Sequence, residues 1–391
     1  MKKILGLLLA LCLIAGCTSA FAAGIPVEQV KIGYITIGDE NEGYSANHLN
    51  GLKEAQAALG ISDDQVLCKY NVPETEDAYE AAIDLAEQGC NIIFATSFGH
   101  ESYVFQAAAE YPNIQFCHAT GNSAMNSELT NVHNYFYAVY ESRYVSGVVA
   151  GMKLAQMIED GTITADAAKI GYVGAFPFAE VISGFTSFFL GARSQCPSVT
   201  MEVRYTNSWA DMALEKETAE ALIADGCVLI SQHADTTGAP SACEAAGVPC
   251  VGYNISMLPV APNTALTSAA GDWGAYVTYA VKCLIDGEEI ARDWCKGYAE
   301  GAVYTTELND SIVAPGTAEK VAELEEAFKA GTVKVFDTST FTVNGETLTS
   351  YTTAYGLEGI EMVSDGEFHE SSVRSAPYFD ILIDGITAVV E

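Results

Sequence analysis

An α/β architecture of two doubly wound, parallel-sheet lobes that close on each other is the reading that three features of the chain support. The text repeats itself once. "KIGY" occurs at Lys31 to Tyr34 and again at Lys169 to Tyr172, each time followed by a loop and a helix-like stretch. "AEQGCNIIF" answers to "IADGCVLIS", where Gly89 and Gly226 each close a helix before a short apolar strand. "EYPNIQF" answers to "EAAGVPC", with Glu110 and Glu244 in corresponding places. Within each half, strands that are apolar on both faces alternate with helices, the pattern of a parallel sheet covered on both sides. Finally, 391 residues give room for two such lobes with full cores.

Taken from the N-terminus, the first residues stand apart from the fold. Lys2 and Lys3 precede an apolar run, Ile4 to Ala15, that is too short to span a bilayer. "IAGC", Ile14 to Cys17, ends that run on small residues and a cysteine and resembles a bacterial lipobox. Residues 1–17 are therefore expected to be a signal peptide, with Cys17 lipidated and the protein held on the extracytoplasmic face of the cell membrane by that anchor alone. "AFA", Ala20 to Ala22, is a rival cleavage site that would release a periplasmic or secreted soluble form. The first half then reads strand at "KIGY", helix at "NHLNGLKEAQAAL", a helix closed by Gly89, and strand at "NIIF". The second half reads strand at "KIGY", helix at "VISGFTSFFLGAR" and strand at Met201 to Tyr205. After Trp209 comes Asp211, well placed as the N-cap of a helix that Met212 opens. From about Val335 to Glu391 the text is turn-rich and leans to β ("FTVNGETLTSYTTAYG"), a decoration expected on the second lobe.

Composition narrows the function. Lys and Arg number 18 against 51 Asp and Glu, for a formal charge of -33, so a nucleic acid or an anionic bilayer surface would be repelled. With 49% hydrophobic residues, the chain is no disordered acidic tail. Of 11 cysteines, Cys12 and Cys17 lie in the leader, and the rest form no Cys-x-x-Cys pair. Several sit beside apolar strand runs (Cys90, Cys227, Cys250), as small buried thiols do, although export would permit disulfides. No G-x-S-x-G, H-E-x-x-H, P-loop or G-x-G-x-x-G occurs, and the histidines match no usual metal spacing. No catalytic residue, metal or cofactor is expected. A secreted hydrolase is the rival from another class, and it lacks a nucleophile–base pair.

In open α/β sheets, ligands lie outside the carboxyl ends of the strands. Those ends fall at Asp39 to Tyr44, Ser97 to Gly99, His118 to Thr120, Phe176 to Phe178, Asn207 to Trp209, His233 to Asp235, and Asn254. The collection holds aromatics, short polar groups and few full charges, which suits a flat heterocycle with several hydrogen-bonding edges. Each residue also has a structural reading: Phe176 and Phe178 as cover for a core, Tyr44 as a helix-start residue, His118 and His233 as satisfied buried histidines.

"KIGYVGAFPFAEVISGFTSFFLGARSQCP", "NSWADMALEKETAEALIADG" and "FCHATGN" resemble the basic membrane protein family over about Val30 to Leu308. These are substrate-binding lipoproteins of ABC importers, purine nucleoside receptors among them. The resemblance implies a periplasmic-binding-protein type I fold whose chain crosses the hinge three times. Lobe 1 would hold 26–136 plus 265–297, and lobe 2 would hold 137–264 plus 298–391. It implies a monomer that binds a purine-like small molecule and delivers it to a permease. Trp209 and Tyr44 would then stack on the two faces of the base, with Asn41 and Ser45 beside Tyr44, and Ser97, Phe98 and Gly99 lining the pocket. His118 falls where nucleoside receptors place an Asp that reads the base. Ser256 stands where they grip ribose with an Asp, and Gly271 stands near their ribose-contacting Lys, with Trp273 close by. These departures favour a free base over a nucleoside, while Asp235 or Asp272 could restore ribose contacts. A nucleoside binder of the same fold, or a binder of another small solute, are the alternatives.

Overall fold

The computed structural model describes residues 24–354 and 357–389; the leader that the sequence predicts, with Cys17, lies outside them. The first half runs β1 (Ile32–Ile35), α1 (Gly43–Leu59), β2 (Val66–Lys69), α2 (Asp77–Glu87), β3 (Ile92–Ala95), α3 (Glu101–Glu110), β4 (Gln115–Ala119) and β5 (Val132–Tyr137). The chain then crosses into α4 (Val139–Glu159), β6 (Lys169–Gly174), α5 (Ala179–Gln195), β7 (Thr200–Tyr205), α6 (Met212–Ala224), β8 (Leu229–His233), α7 (Gly238–Ala246), β9 (Cys250–Tyr253) and β10 (Ala265–Gly271). It returns for α8 (Trp273–Asp286) and β11 (Asp293–Lys296), and crosses a third time into β12 (Val303–Thr305) and α9 (Thr317–Lys329). A hairpin of β13 (Val363–Ser364) and β14 (Glu367–Phe368), and β15 (Ile386–Val389), complete it.

The strand orders are β11-β5-β4-β3-β1-β2 and β12-β10-β9-β8-β6-β7-β15. The two copies of "KIGY" are β1 and β6, each flanked by the next strand of its half on one side and the one after on the other. Gly89 and Gly226, the paired helix-ending glycines, both have φ of 86°, a left-handed turn that glycine adopts without a Cβ clash. Strands β1, β3 and β8 are buried along their whole length, as helix-covered parallel strands should be.

One boundary differs from the sequence reading. The segment from 265 was assigned to lobe 1, but β10 pairs with β9 and β12 in the second sheet. The return crossing therefore falls between Gly271 and Trp273, where Asp272 caps α8 by accepting the Gly274 N–H at 2.7 Å. Seven buried residues, mostly small, carry no mark of which sheet they join.

α4 and α5 pack almost backbone to backbone: a Cβ built on Gly147 would lie 2.0 Å from the Phe188 carbonyl oxygen, and one on Gly191 would lie 2.1 Å from that of Tyr144. The C-terminal stretch does decorate the second lobe. β15 extends its sheet by pairing with β7, and Phe336, Phe368 and Phe379 form an aromatic core. Buried Glu370 takes N–H groups from Tyr378 and Phe379 and the hydroxyl of Ser183 on α5. The same stretch also reaches the first sheet, where Ser375 Oγ donates to Asp293 Oδ1 at 2.7 Å on the edge strand β11. The nine cysteines within the described residues are all unpaired, and seven of them are buried.

Candidate ligand-binding site

The carboxyl ends of both sheets face a slot between the lobes. It is lined by Ile37, Tyr44, Ser97, Phe98 and Thr120 from the first lobe, and by Glu180, Trp209, His233, Asp235 and Tyr253 from the second. The slot holds about 350 Å³ of space between the protein atoms, part of it open to solvent. The lobes touch at its rim, where the Gly43 N–H donates to the Asp235 carbonyl (3.2 Å) and the rings of Phe98 and Phe178 lie 5.7 Å apart.

Local structure fixes each wall. Glu42 caps α1 through the N–H groups of Tyr44 and Ser45, and the Tyr44 hydroxyl donates to the Thr96 carbonyl at 2.5 Å. Tyr44 is thereby held as one buried wall. Trp209 is half-buried, backed by an edge-on Phe176 (5.0 Å) that itself stacks on Phe178 (5.1 Å). Asp211 caps α6, accepting from Ala213 and Leu214 at 3.0 Å each, so the Trp209 loop is anchored directly after the ring. Its carbonyl accepts the Asp235 N–H at 2.9 Å. Thr120 and Asn254 end equivalent strands with φ of 68° and 65°, a conformation that costs energy for residues with a Cβ and that clusters at binding sites.

The slot's polar groups lie deep. Asp235 accepts from Asn254 Nδ2 at 2.7 Å; burial, then the carboxylates of Glu42, Glu215 and Glu180, push its carboxyl well above the usual range. Glu180, on the first turn of α5, is raised to about 7 by burial, with the Arg143 charge pulling the other way. His233 is 1% exposed, neither ring nitrogen has a hydrogen-bond partner, and burial plus Arg143 hold it neutral. Arg143 is fixed by its donation from Nη1 to the Gln232 carbonyl (2.7 Å), and its guanidinium lies 3.7 Å from the centre of the Tyr253 ring.

Of the residues the sequence singled out, Tyr44, Ser97, Phe98, Thr120, Trp209, His233 and Asp235 meet in the slot. The others do not line it. Ser45 Oγ accepts the Gly38 N–H, Asn41 is exposed and bonded to Asp39, and the Gly99 N–H donates to Glu74. His118 is buried, with Nε2 2.7 Å from the Ser97 carbonyl, so it props the Ser97 loop from behind. Phe176 and Asn254 stand behind Trp209 and Asp235. Ser256 donates to Glu307 and faces a separate cavity, beside Asn47 and Asp272. Trp273 is 1% exposed and stacks on His48 at 3.9 Å; it belongs to the first lobe's aromatic core and does not line the slot. Gly271 has the Tyr137 ring where its Cβ would be (2.2 Å).

Residues 35–335 match the family model Bmp, described as ABC transporter substrate-binding protein PnrA-like. The chain belongs to this family.

A relative of this Bmp-family protein is the purine-binding protein of Brucella abortus, 33% identical over 79% of this chain and 83% of the other. A Haloferax volcanii protein, provisionally named as an ABC transporter glucose-binding protein, is 29% identical over 85% of this chain and 81% of its own. Among solved structures, the fold matches ABC transporter solute-binding proteins of Aeropyrum pernix (TM-score 0.66, 17% identity, 78% of this chain and 93% of that one) and Conexibacter woesei (0.61, 20%, 78% and 98%). These are periplasmic-binding-protein type I-like folds, and the relatives are solute-binding proteins rather than enzymes. No helix of the described residues is long and apolar enough to cross a membrane. Reading strand ends missed Ile37, Glu180 and Tyr253 of the Bmp-family slot. Glu180 was findable as a carboxylate one residue into a helix that opens at a strand end.

Proposed function

We propose that this Bmp-family protein captures a purine, as the free base rather than the nucleoside, in the slot between its lobes and hands it to an ABC importer. The observation that carries the reading is the slot itself: small, walled by the rings of Tyr44, Phe98 and Trp209, and lined also by Asp235, Glu180 and His233, whose ring nitrogens have no hydrogen-bond partner in the protein. A ligand edge is one way to satisfy such buried polar atoms. A planar ring with polar edges fits such walls, and a puckered hexose carrying hydroxyls all round fits them less well. The Brucella abortus relative supports the class of ligand. The case for a base over a nucleoside rests on the slot's small size, since Ser256 and Trp273 lie elsewhere. Hinge closure around the ligand then presents the bound form to the permease. Cys17, at the end of the lipobox-like stretch, would anchor the protein at the membrane, and Cys17→Ser should move it to the soluble fraction.

Titration calorimetry with hypoxanthine, guanine, adenine, their ribonucleosides and glucose tests the reading. At least one base should bind more tightly than its nucleoside and than glucose. A nucleoside or glucose binding more tightly than every base would overturn it.

A further inference from the structure

We propose that Glu180 and His233 are the specificity-determining pair of the slot, reading a ligand edge on which an N–H donor stands next to a carbonyl acceptor, the lactam edge of an oxopurine. This rests on the reading of the slot as a site for a flat base. Among the described residues, three other acidic side chains are buried, and each has a use within the protein. Glu215 accepts the Thr236 N–H, Asp235 accepts from Asn254, and Glu370 accepts from Ser183, Tyr378 and Phe379. Glu180 differs. Its side chain is 15% exposed and lines the slot, and among the described residues it accepts no hydrogen bond. His233 Nε2 lies 3.4 Å from its Oε1.

The geometry of α5 sets up this pairing. Glu180 and Gly184 are one turn apart on the same face, and the His233 ring lies against the glycine: a Cβ there would be 2.6 Å from Nδ1. The Nδ1 side is therefore closed by the helix, and Nε2 is the nitrogen next to the carboxylate. Both nitrogens lack partners in a ring that is 1% exposed. The fixed guanidinium of Arg143 behind them favours an ionised Glu180 and a neutral imidazole. An anionic acceptor and an imidazole N–H then stand side by side. A lactam N–H would donate to Glu180 while its carbonyl accepts from His233 Nε2. An aminopurine seated the same way round in the slot presents the reverse order, turning a ring-nitrogen lone pair toward the carboxylate and leaving buried groups unpaired, which such sites reject strongly.

The test is calorimetry at pH 8 with hypoxanthine and adenine on the wild type and on Glu180→Gln, with thermal melts to verify folding. The wild type should prefer hypoxanthine by about tenfold or more. Glu180→Gln, whose amide offers a donor and an acceptor and can turn to suit either edge, should bring the two affinities within about threefold of each other. A wild type that binds both bases equally, or a folded Glu180→Gln that keeps the preference, would overturn the pair while leaving base binding intact. A wild type that binds neither base would overturn both.

Discussion

Trp209 can be tested for the side it serves. Its ring is half-buried with one face toward the slot and Phe176 edge-on behind it. Trp209→Ala should weaken purine binding by ~1–3 kcal/mol, the scale of base–aromatic stacking, or about 5- to 150-fold in Kd. The melting temperature should move little, since Phe176 and Phe178 still cover the core. A mutant that melts much earlier but binds normally would make the ring a core residue. Glu180 offers a second, electrostatic test. Its carboxyl is held near 7, above its ordinary 4.5, so between those values the folded protein keeps a proton that the unfolded chain has lost. That contribution to stability falls as pH rises through the window and levels off above 7. Arg143, His233, Asp235 and Tyr253 face it, and their own titration is shared by wild type and mutant to first order. Glu180→Gln removes the proton step, so the mutant should gain in melting temperature relative to wild type between pH 5 and pH 8. A constant gap between the two proteins would show that burial does not govern this carboxyl.

At the scale of elements, the contact of α4 with α5 is the most demanding in the second lobe. Gly147→Ala would drive a methyl into the Phe188 carbonyl, and the helices would have to part. The expected loss is about 1–3 kcal/mol or more in urea unfolding, with ligand affinity of the folded protein unchanged because neither helix face touches the slot there. How much of this was legible follows the same division. The two-fold repeat was readable because "KIGY" and the paired glycines Gly89 and Gly226 mark equivalent positions, and backbone turns leave residue-level signatures. The strand ends of the slot were readable because parallel sheets gather their carboxyl ends. Which side chain points inward was not. Ser97 faces the slot and Gly99 two residues on does not, and His118 turns back onto the Ser97 carbonyl. Trp273 was misplaced because an aromatic after a crossing reads the same whether it faces ligand or its own core. The true partner, His48, is far away in sequence.

The whole molecule is two copies of one plan, joined by three crossings, with a strongly acidic surface that keeps it from polyanions. The family match ends at residue 335, and the chain beyond it is pinned to the second lobe by β15 and Glu370 while its Ser375 holds Asp293 of the first. Ser375→Ala should widen the ligand-free protein, raising its radius of gyration in solution scattering, while the ligand-bound form stays as compact as wild type. Equal curves for both proteins in the free state would make the contact incidental to opening. Two shells on a three-stranded hinge can gape as far as the strands allow. A rider fastened to one shell and hooked to the edge of the other works like the chain on a door, so the largest visitor admitted would be set on the outside of the molecule, far from the slot that chooses among them.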